Sequence, residues 1–63
     1  MHRVVLKFKN ERDMRSFFDI CKLKDAEMNV RDLTIICHCW EREIELAVNS
    51  FEAVILRREK IKD

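Results

Sequence analysis

The sequence predicts an α+β fold in one domain spanning residues 1–63, with the element order βαββα. Three observations support this prediction. Apolar and polar residues alternate in two short segments, which is the period of a half-buried strand, and a third segment has the strongest strand signal with two largely apolar faces. Two longer segments repeat apolar residues every three or four positions, which is the period of an amphipathic helix. The chain has no glycine and no proline, and this absence argues against disordered linkers.

The first strand is predicted over residues 3–9, with alternate apolar side chains on one face. Asn10 follows as the N-cap of a helix, because its side chain can accept a hydrogen bond from a free backbone N–H of the first turn. We expect this helix to end at Lys24-Asp25. Its apolar stripe has the spacing i, i+3, i+4, i+7 and consists of Met14, Phe17, Phe18 and Cys21.

Two further strands are predicted to form a hairpin. Residues 26–31 alternate between apolar and polar side chains, and residues 33–40 give the strongest strand signal of the chain. Their connection lacks the Asn-Gly or Asp-Gly pair that two-residue hairpin turns favour, so a longer, bulged loop around residues 29–33 is equally open. In residues 33–40 one face consists of Leu33, Ile35, Cys37 and Cys39, and the other of Thr34, Ile36, His38 and Trp40.

A second helix is predicted to begin near Glu41 and to continue into the basic residues at the end of the chain. Acidic residues in its first turn and basic residues in its last turns both suit the helix dipole. The basic residues include Arg57, Arg58 and Lys60. The apolar stripe of this helix is predicted to consist of Ile44, Ala47, Val48, Phe51, Val54 and Ile55.

The order βαββα resembles a ferredoxin-like two-layer plait that lacks its last strand. The resemblance covers most of the chain, but it is one of topology and carries no sequence motif, so it implies no function. It places the third strand antiparallel beside the first, with both helices on one face of the sheet and the outer edge of the first strand unpaired. In the alternative, residues 26–40 form one long strand, which gives βαβα with a parallel strand pair.

Charge and motifs argue against an enzyme. The 13 basic and 12 acidic residues give a net charge of +1, and the chain has no glycine-rich phosphate loop, no GxSxG and no HExxH. Strand alternation puts His38 on the opposite face from Cys37 and Cys39, so these residues form no nucleophile–base pair. We therefore predict a non-enzymatic protein that requires no cofactor.

More apolar surface is present than one small fold is expected to hide. Part of it lies on the predicted sheet face away from the helices. Another part lies on the back of the predicted second helix and consists of Leu46, Ala53 and Leu56. We predict that a second copy covers it, which makes the protein a homodimeric association module, with an unidentified protein partner as the other option. The predicted interface residues are Val5, Ile36, His38, Trp40, Leu46 and Leu56.

Single-stranded nucleic acid is an alternative ligand for the open sheet face. Trp40 is the one aromatic residue available there for base stacking, and the net charge is near zero. Both points make nucleic-acid binding the weaker prediction. The basic residues that would contact it are Arg3, Lys7, Lys9 and Arg31.

A zinc site is a second alternative, because the hairpin topology brings three cysteines and a histidine to one end of the sheet. These residues are Cys21, Cys37, Cys39 and His2. Cys-x-Cys within a strand differs from the knuckle spacing of structural zinc sites, and cysteines often pack as small apolar residues. We therefore predict free, buried thiols without metal.

With no secretory leader and no apolar segment of membrane-spanning length, we expect a cytoplasmic protein that contacts no membrane.

Overall fold

The computed structural model describes residues 2–23 and 26–60, which form four strands and two helices in the order βαββαβ. The class is therefore α+β, as predicted. The predicted end of the first helix at Lys24-Asp25 lies outside the described residues, and the helix itself ends at Cys21. The elements are β1 (His2–Lys7), α1 (Glu11–Cys21), β2 (Glu27–Asn29), β3 (Thr34–Cys39), α2 (Glu41–Phe51) and β4 (Val54–Lys60).

The four strands form one sheet in the order β2-β3-β1-β4, and every pair of neighbours is antiparallel. The predicted hairpin of β2 and β3 and the antiparallel pairing of β3 with β1 are confirmed. The alternative with a parallel strand pair is wrong, because residues 30–33 form a turn that reverses the chain. The strand order is compatible with a two-layer plait.

The C-terminal part of the chain differs from the prediction. The predicted second helix ends at Phe51, and residues 54–60 form β4, which pairs along β1. The prediction of a missing fourth strand is therefore wrong, and the outer edge of β1 is paired. Glu52 reverses the chain at φ 55°, a left-handed conformation that ends the helix without the glycine usual there.

One face of the sheet packs against the helices and forms the core. Strand residues on this face alternate with outward-facing ones, as β1 shows with buried Val4 and Leu6 on either side of Val5. The rings of Phe8, Phe17 and Phe51 pack together with centroids 5.4–6.4 Å apart. The buried apolar residues are Val4, Leu6, Phe8, Met14, Phe17, Ile35, Cys37, Cys39, Ile44, Ala47 and Ala53.

Local side chains define the element ends. The Asn10 side chain accepts a hydrogen bond from the backbone N–H of Asp13 at 2.8 Å, which confirms the predicted N-cap of α1. The loop between β2 and β3 is the longer one that the sequence left open. Within it, Asn29 accepts from the backbone N–H of Asp32, and Leu33 is left-handed at φ 59°.

Candidate functional site

The outer face of the sheet, opposite both helices, is the candidate site. We define it by the strand residues whose side chains alternate away from the core. They are Arg3, Val5 and Lys7 of β1, Glu27 and Asn29 of β2, Thr34, Ile36 and His38 of β3, and Val54, Arg57 and Glu59 of β4.

A single row of residues crosses the middle of the outer face. Ile36 pairs with Glu27 on one side and with Val5 on the other, and Val5 pairs in turn with Arg57. The central row therefore reads Glu27, Ile36, Val5, Arg57. Its two apolar residues are partly buried and its two charged residues are exposed at opposite edges of the sheet.

A bulge in β4 adds apolar surface beside this row. The register shifts between Val5 and Leu6 of β1, so Leu56 is the extra residue of β4 at that point. Leu56 is 55% exposed and Val54 is 57% exposed. Val54 pairs with Lys7 and therefore stands on the outer face, and Leu56 adds an exposed apolar side chain at the bulge of the β4 edge.

The outer face contains a depression at its β2 edge. A depression of about 450 Å³ lies along β2, the turn that follows it and β3. A smaller one of about 180 Å³ lies at the other side of Ile36. The residues lining the larger depression on the strands are Glu27, Met28, Asn29, Thr34 and Ile36.

Charges of both signs surround the apolar centre. Arg57 pairs with Glu59 within β4 at 2.7 Å, and both side chains remain substantially exposed. Glu27, Arg3 and Lys7 form no ion pair within the described part of the chain. The outer face is therefore of mixed charge, with Glu27 at the β2 edge and the Arg57–Glu59 pair at the β4 edge.

Five of the six predicted interface residues lie on or next to the sheet. Val5, Ile36 and His38 share the outer face, with Val5 directly opposite Ile36. Trp40 follows β3 with an extended backbone, so its side chain continues the outer-face alternation, and it is 58% exposed. Leu56 lies in β4, at the bulge, rather than on the back of a helix.

Leu46 belongs to a different surface from the other predicted interface residues. It packs partly against the core and lines a groove of about 540 Å³ between α1 and α2. The predicted apolar patch that joined Leu46 to Ala53 and Leu56 is therefore wrong, because α2 ends before Ala53 and the chain turns into β4.

The four basic residues predicted for nucleic-acid binding do not share one surface. Arg3 and Lys7 lie on the outer face, but Arg31 lies in the turn between β2 and β3. Lys9 follows β1 and pairs with Glu52 at 3.2 Å. This hydrogen bond and charge raise the pKa of Lys9.

The three free thiols lie where α1 meets β3 and α2. Burial, and then the Glu43 carboxylate, raise the pKa of the Cys21 thiol from 9.0 to about 11. A hydrogen bond between Cys37 and Cys39 lowers the pKa of Cys37 and raises that of Cys39, and burial raises the latter further. Cys21 and Cys39 therefore stay protonated near neutral pH, which makes them poor nucleophiles.

His2 of the predicted zinc set points to the helix side of the sheet and pairs in register with Cys39. Its Nε2 atom lies 3.3 Å from the Glu41 carboxylate, which also accepts from Arg58 of β4. His2 therefore contacts Arg58 of β4 and Glu41 at the start of α2. Across residues 2–23 and 26–60, no three histidine, cysteine, aspartate or glutamate side chains are grouped to hold a metal ion.

Sequence reasoning missed three residues of the candidate site. Val54, Arg57 and Glu59 were assigned to a helix, whereas they belong to β4. The β-branched pair Val54-Ile55 is a strand signal, and it would have located β4 had the helix been ended at Phe51.

Neither of the two helices in the described residues has the length and apolar content needed to cross a membrane. The chain matches no protein-family profile, no curated protein and no solved structure.

Proposed function

We propose that this protein is a non-enzymatic association module that forms a homodimer through the outer face of its sheet. The observation that carries the proposal is the apolar centre of that face. Val5 and Ile36 lie at its middle, and Val54 and Leu56 stand more than half exposed beside them. Apolar side chains gathered on one open face favour burial against another protein.

The fold supports the same proposal. We take the α+β arrangement to be a ferredoxin-like plait, because its four antiparallel strands follow the order β2-β3-β1-β4 and both helices cover one face. Such a two-layer fold has one core and leaves its second sheet face for solvent or a partner. Here that second face has an apolar middle and a charged rim, which is the usual layout of a protein–protein interface.

The size of the outer face sets the expected strength. Four strands at about 4.8 Å spacing and six residues at about 3.3 Å each give a face of about 20 Å by 20 Å. Two such faces bury on the order of 800 Å² between them, which is below the roughly 1,200 Å² of a standard interface. We therefore expect a weak dimer, with Trp40 at the end of the face adding to the buried area.

Sedimentation equilibrium from about 10 µM to about 1 mM tests the proposal, since weak dimers dissociate within this range. We expect the mass to rise from that of one 7.7 kDa chain toward twice that value. Leu56→Lys should weaken dimerisation about tenfold or more, because two exposed leucines per dimer lose their burial.

Ile20→Lys is the matched control. Ile20 is 60% exposed, close to the value for Leu56, but it lies on α1, away from the sheet. It should leave dimerisation unchanged. A chain that stays monomeric at about 1 mM, or a dimer that Ile20→Lys breaks and Leu56→Lys does not, would overturn the proposal.

Single-stranded nucleic acid is a second candidate for the same face, supported by Arg3, Lys7 and Arg57 on it. Bound RNA would release counterions, so its affinity would fall steeply with salt. The measurement is fluorescence anisotropy of a labelled single-stranded RNA at low and high salt. Binding that Arg3→Glu and Lys7→Glu remove together supports this candidate, and no binding at low salt rejects it.

A further inference from the structure

We infer that the two copies pack outer face to outer face about a two-fold axis that runs along the strands, between β3 and β1. In this arrangement Glu27 of each copy faces Arg57 of the other. The inference rests on the proposed function, because it specifies the geometry of the same dimer. Two observations support it: the strand register of the central row, and the depression at the β2 edge of the outer face.

The central row is antisymmetric in charge and symmetric in hydrophobicity. Its acid Glu27 and its base Arg57 stand on opposite sides of the apolar pair Ile36 and Val5. With strands about 4.8 Å apart, each charged residue lies about 7 Å from the midpoint of the row. A two-fold axis along the strands through that midpoint exchanges the left and right ends of the row.

The consequence is a set of matched contacts between the copies. Ile36 lies over the partner's Val5, and Glu27 lies over the partner's Arg57, each contact occurring twice by symmetry. Packed sheets lie about 10 Å apart, a gap that a glutamate and an arginine reaching toward each other span. Arg57 already pairs with Glu59 at 2.7 Å, so the partner's Glu27 joins an existing pair of charges.

A two-fold axis that runs across the strands gives the opposite result. It lays each strand over its own copy, so Glu27 meets Glu27 and Arg57 meets Arg57. It also exchanges the two ends of β1, which brings Arg3 over the partner's Lys7. Like charges in every one of these contacts disfavour this axis.

The depression at the β2 edge gives a second argument for the axis along the strands, and this argument does not depend on charge. That axis places β4 of one copy over β2 of the other. The exposed Val54 of β4 then lies over the depression of about 450 Å³ beside β2, where Asn29 and Thr34 form part of the lining. The β4 edge of each copy thus covers the depression of its partner.

The twist of the two sheets leaves these contacts within reach. Packed sheets cross at about 30°. At about 7 Å from the axis, such a crossing displaces facing residues by only about 4 Å. The flexible side chains of Glu27 and Arg57 cover this displacement.

Charge reversal tests the inference by sedimentation equilibrium at low salt. Glu27→Lys sets a base against the partner's Arg57, and Arg57→Glu sets an acid against the partner's Glu27. We expect either single change to weaken dimerisation about tenfold, because two contacts per dimer turn repulsive. The double variant Glu27→Lys/Arg57→Glu should return to within about threefold of the original affinity.

Mixing the two single variants provides the control for effects inside one subunit. A mixed dimer restores opposite charges in both contacts, so the mixture should dimerise more tightly than either variant alone. Arg12→Glu, an exposed change on α1, should have no effect.

The outcomes separate the two proposals. A dimer whose affinity does not recover in the double variant overturns the axis and leaves the dimer intact. An original chain that stays monomeric overturns both. Recovery in the double variant together with recovery on mixing supports the axis along the strands.

Discussion

The chain ends α1 without a glycine, and replacing the residue that reverses the backbone should stabilise the protein. Lys22 has φ 48° and ψ 51°, and its backbone N–H reaches the carbonyls of Asp19 and Phe18. This left-handed conformation costs a residue with a Cβ about 1–2 kcal/mol, whereas glycine adopts it freely. Lys22 is exposed, so its side chain loses little on replacement.

The magnitude follows from two opposing effects of Lys22→Gly. Removing the Cβ stabilises the folded state by about 1–2 kcal/mol, because the strain of the left-handed conformation is lost. The greater conformational freedom of glycine stabilises the unfolded chain by about 0.5–1 kcal/mol and so offsets part of this gain. We expect a net gain in unfolding free energy of about 0.5–1 kcal/mol, or about 2–8 °C in Tm for a domain of this size.

Thermal and urea unfolding followed by circular dichroism measure this gain. Glu45→Gly is the matched control, because Glu45 lies exposed inside α2 where glycine lacks this advantage. It should cost about 0.5–1 kcal/mol. If Lys22→Gly and Glu45→Gly destabilise the protein equally, the reasoning about the left-handed end of α1 is refuted.

Three further outcomes are expected. Asn10→Ala should cost about 1 kcal/mol in urea unfolding, since the cap on Asp13 is lost, and an unchanged midpoint would contradict this. Phe17→Ala should cost about 3–5 kcal/mol because its fully buried ring contacts Phe8 and Phe51, and a cost below about 1 kcal/mol would place Phe17 outside the core. The raised pKa of Cys21 keeps its thiol protonated in the folded chain after the unfolded chain ionises, so stability should fall as pH rises from 9 to about 11. Cys21→Ser should reduce that fall. If the variant and the original chain show the same dependence of stability on pH, the raised pKa of Cys21 is contradicted.

Alternation and capping allowed much of the fold to be predicted. β1, α1 and the β2–β3 hairpin each have a local signal, and the Asn10 cap and the apolar stripe through Met14 and Phe17 are where the pattern put them. β4 was missed because two patterns coincided. Val54 and Ile55 continue the helical spacing of Phe51, and the basic residues after them suit a helix end.

The same coincidence hid the β4 part of the candidate site. The parity of β1 and β3 predicted that Val5 and Ile36 would share the outer face, and they pair directly. Leu56 was predicted as an interface residue on the second helix, but it lies in β4. Its actual position depends on a β-bulge, which arises from long-range pairing and has no signal in the local sequence.

The central claim is that a second copy covers the outer face, and the concentration dependence of backbone amide chemical shifts tests it residue by residue. We expect shifts between dilute and concentrated samples to gather at Val5, Ile36 and Leu56. The groove between the helices, represented by Ile20 and Asn49, should remain unchanged. Shifts that gather in that groove, or a spectrum that does not change with concentration, would contradict the account.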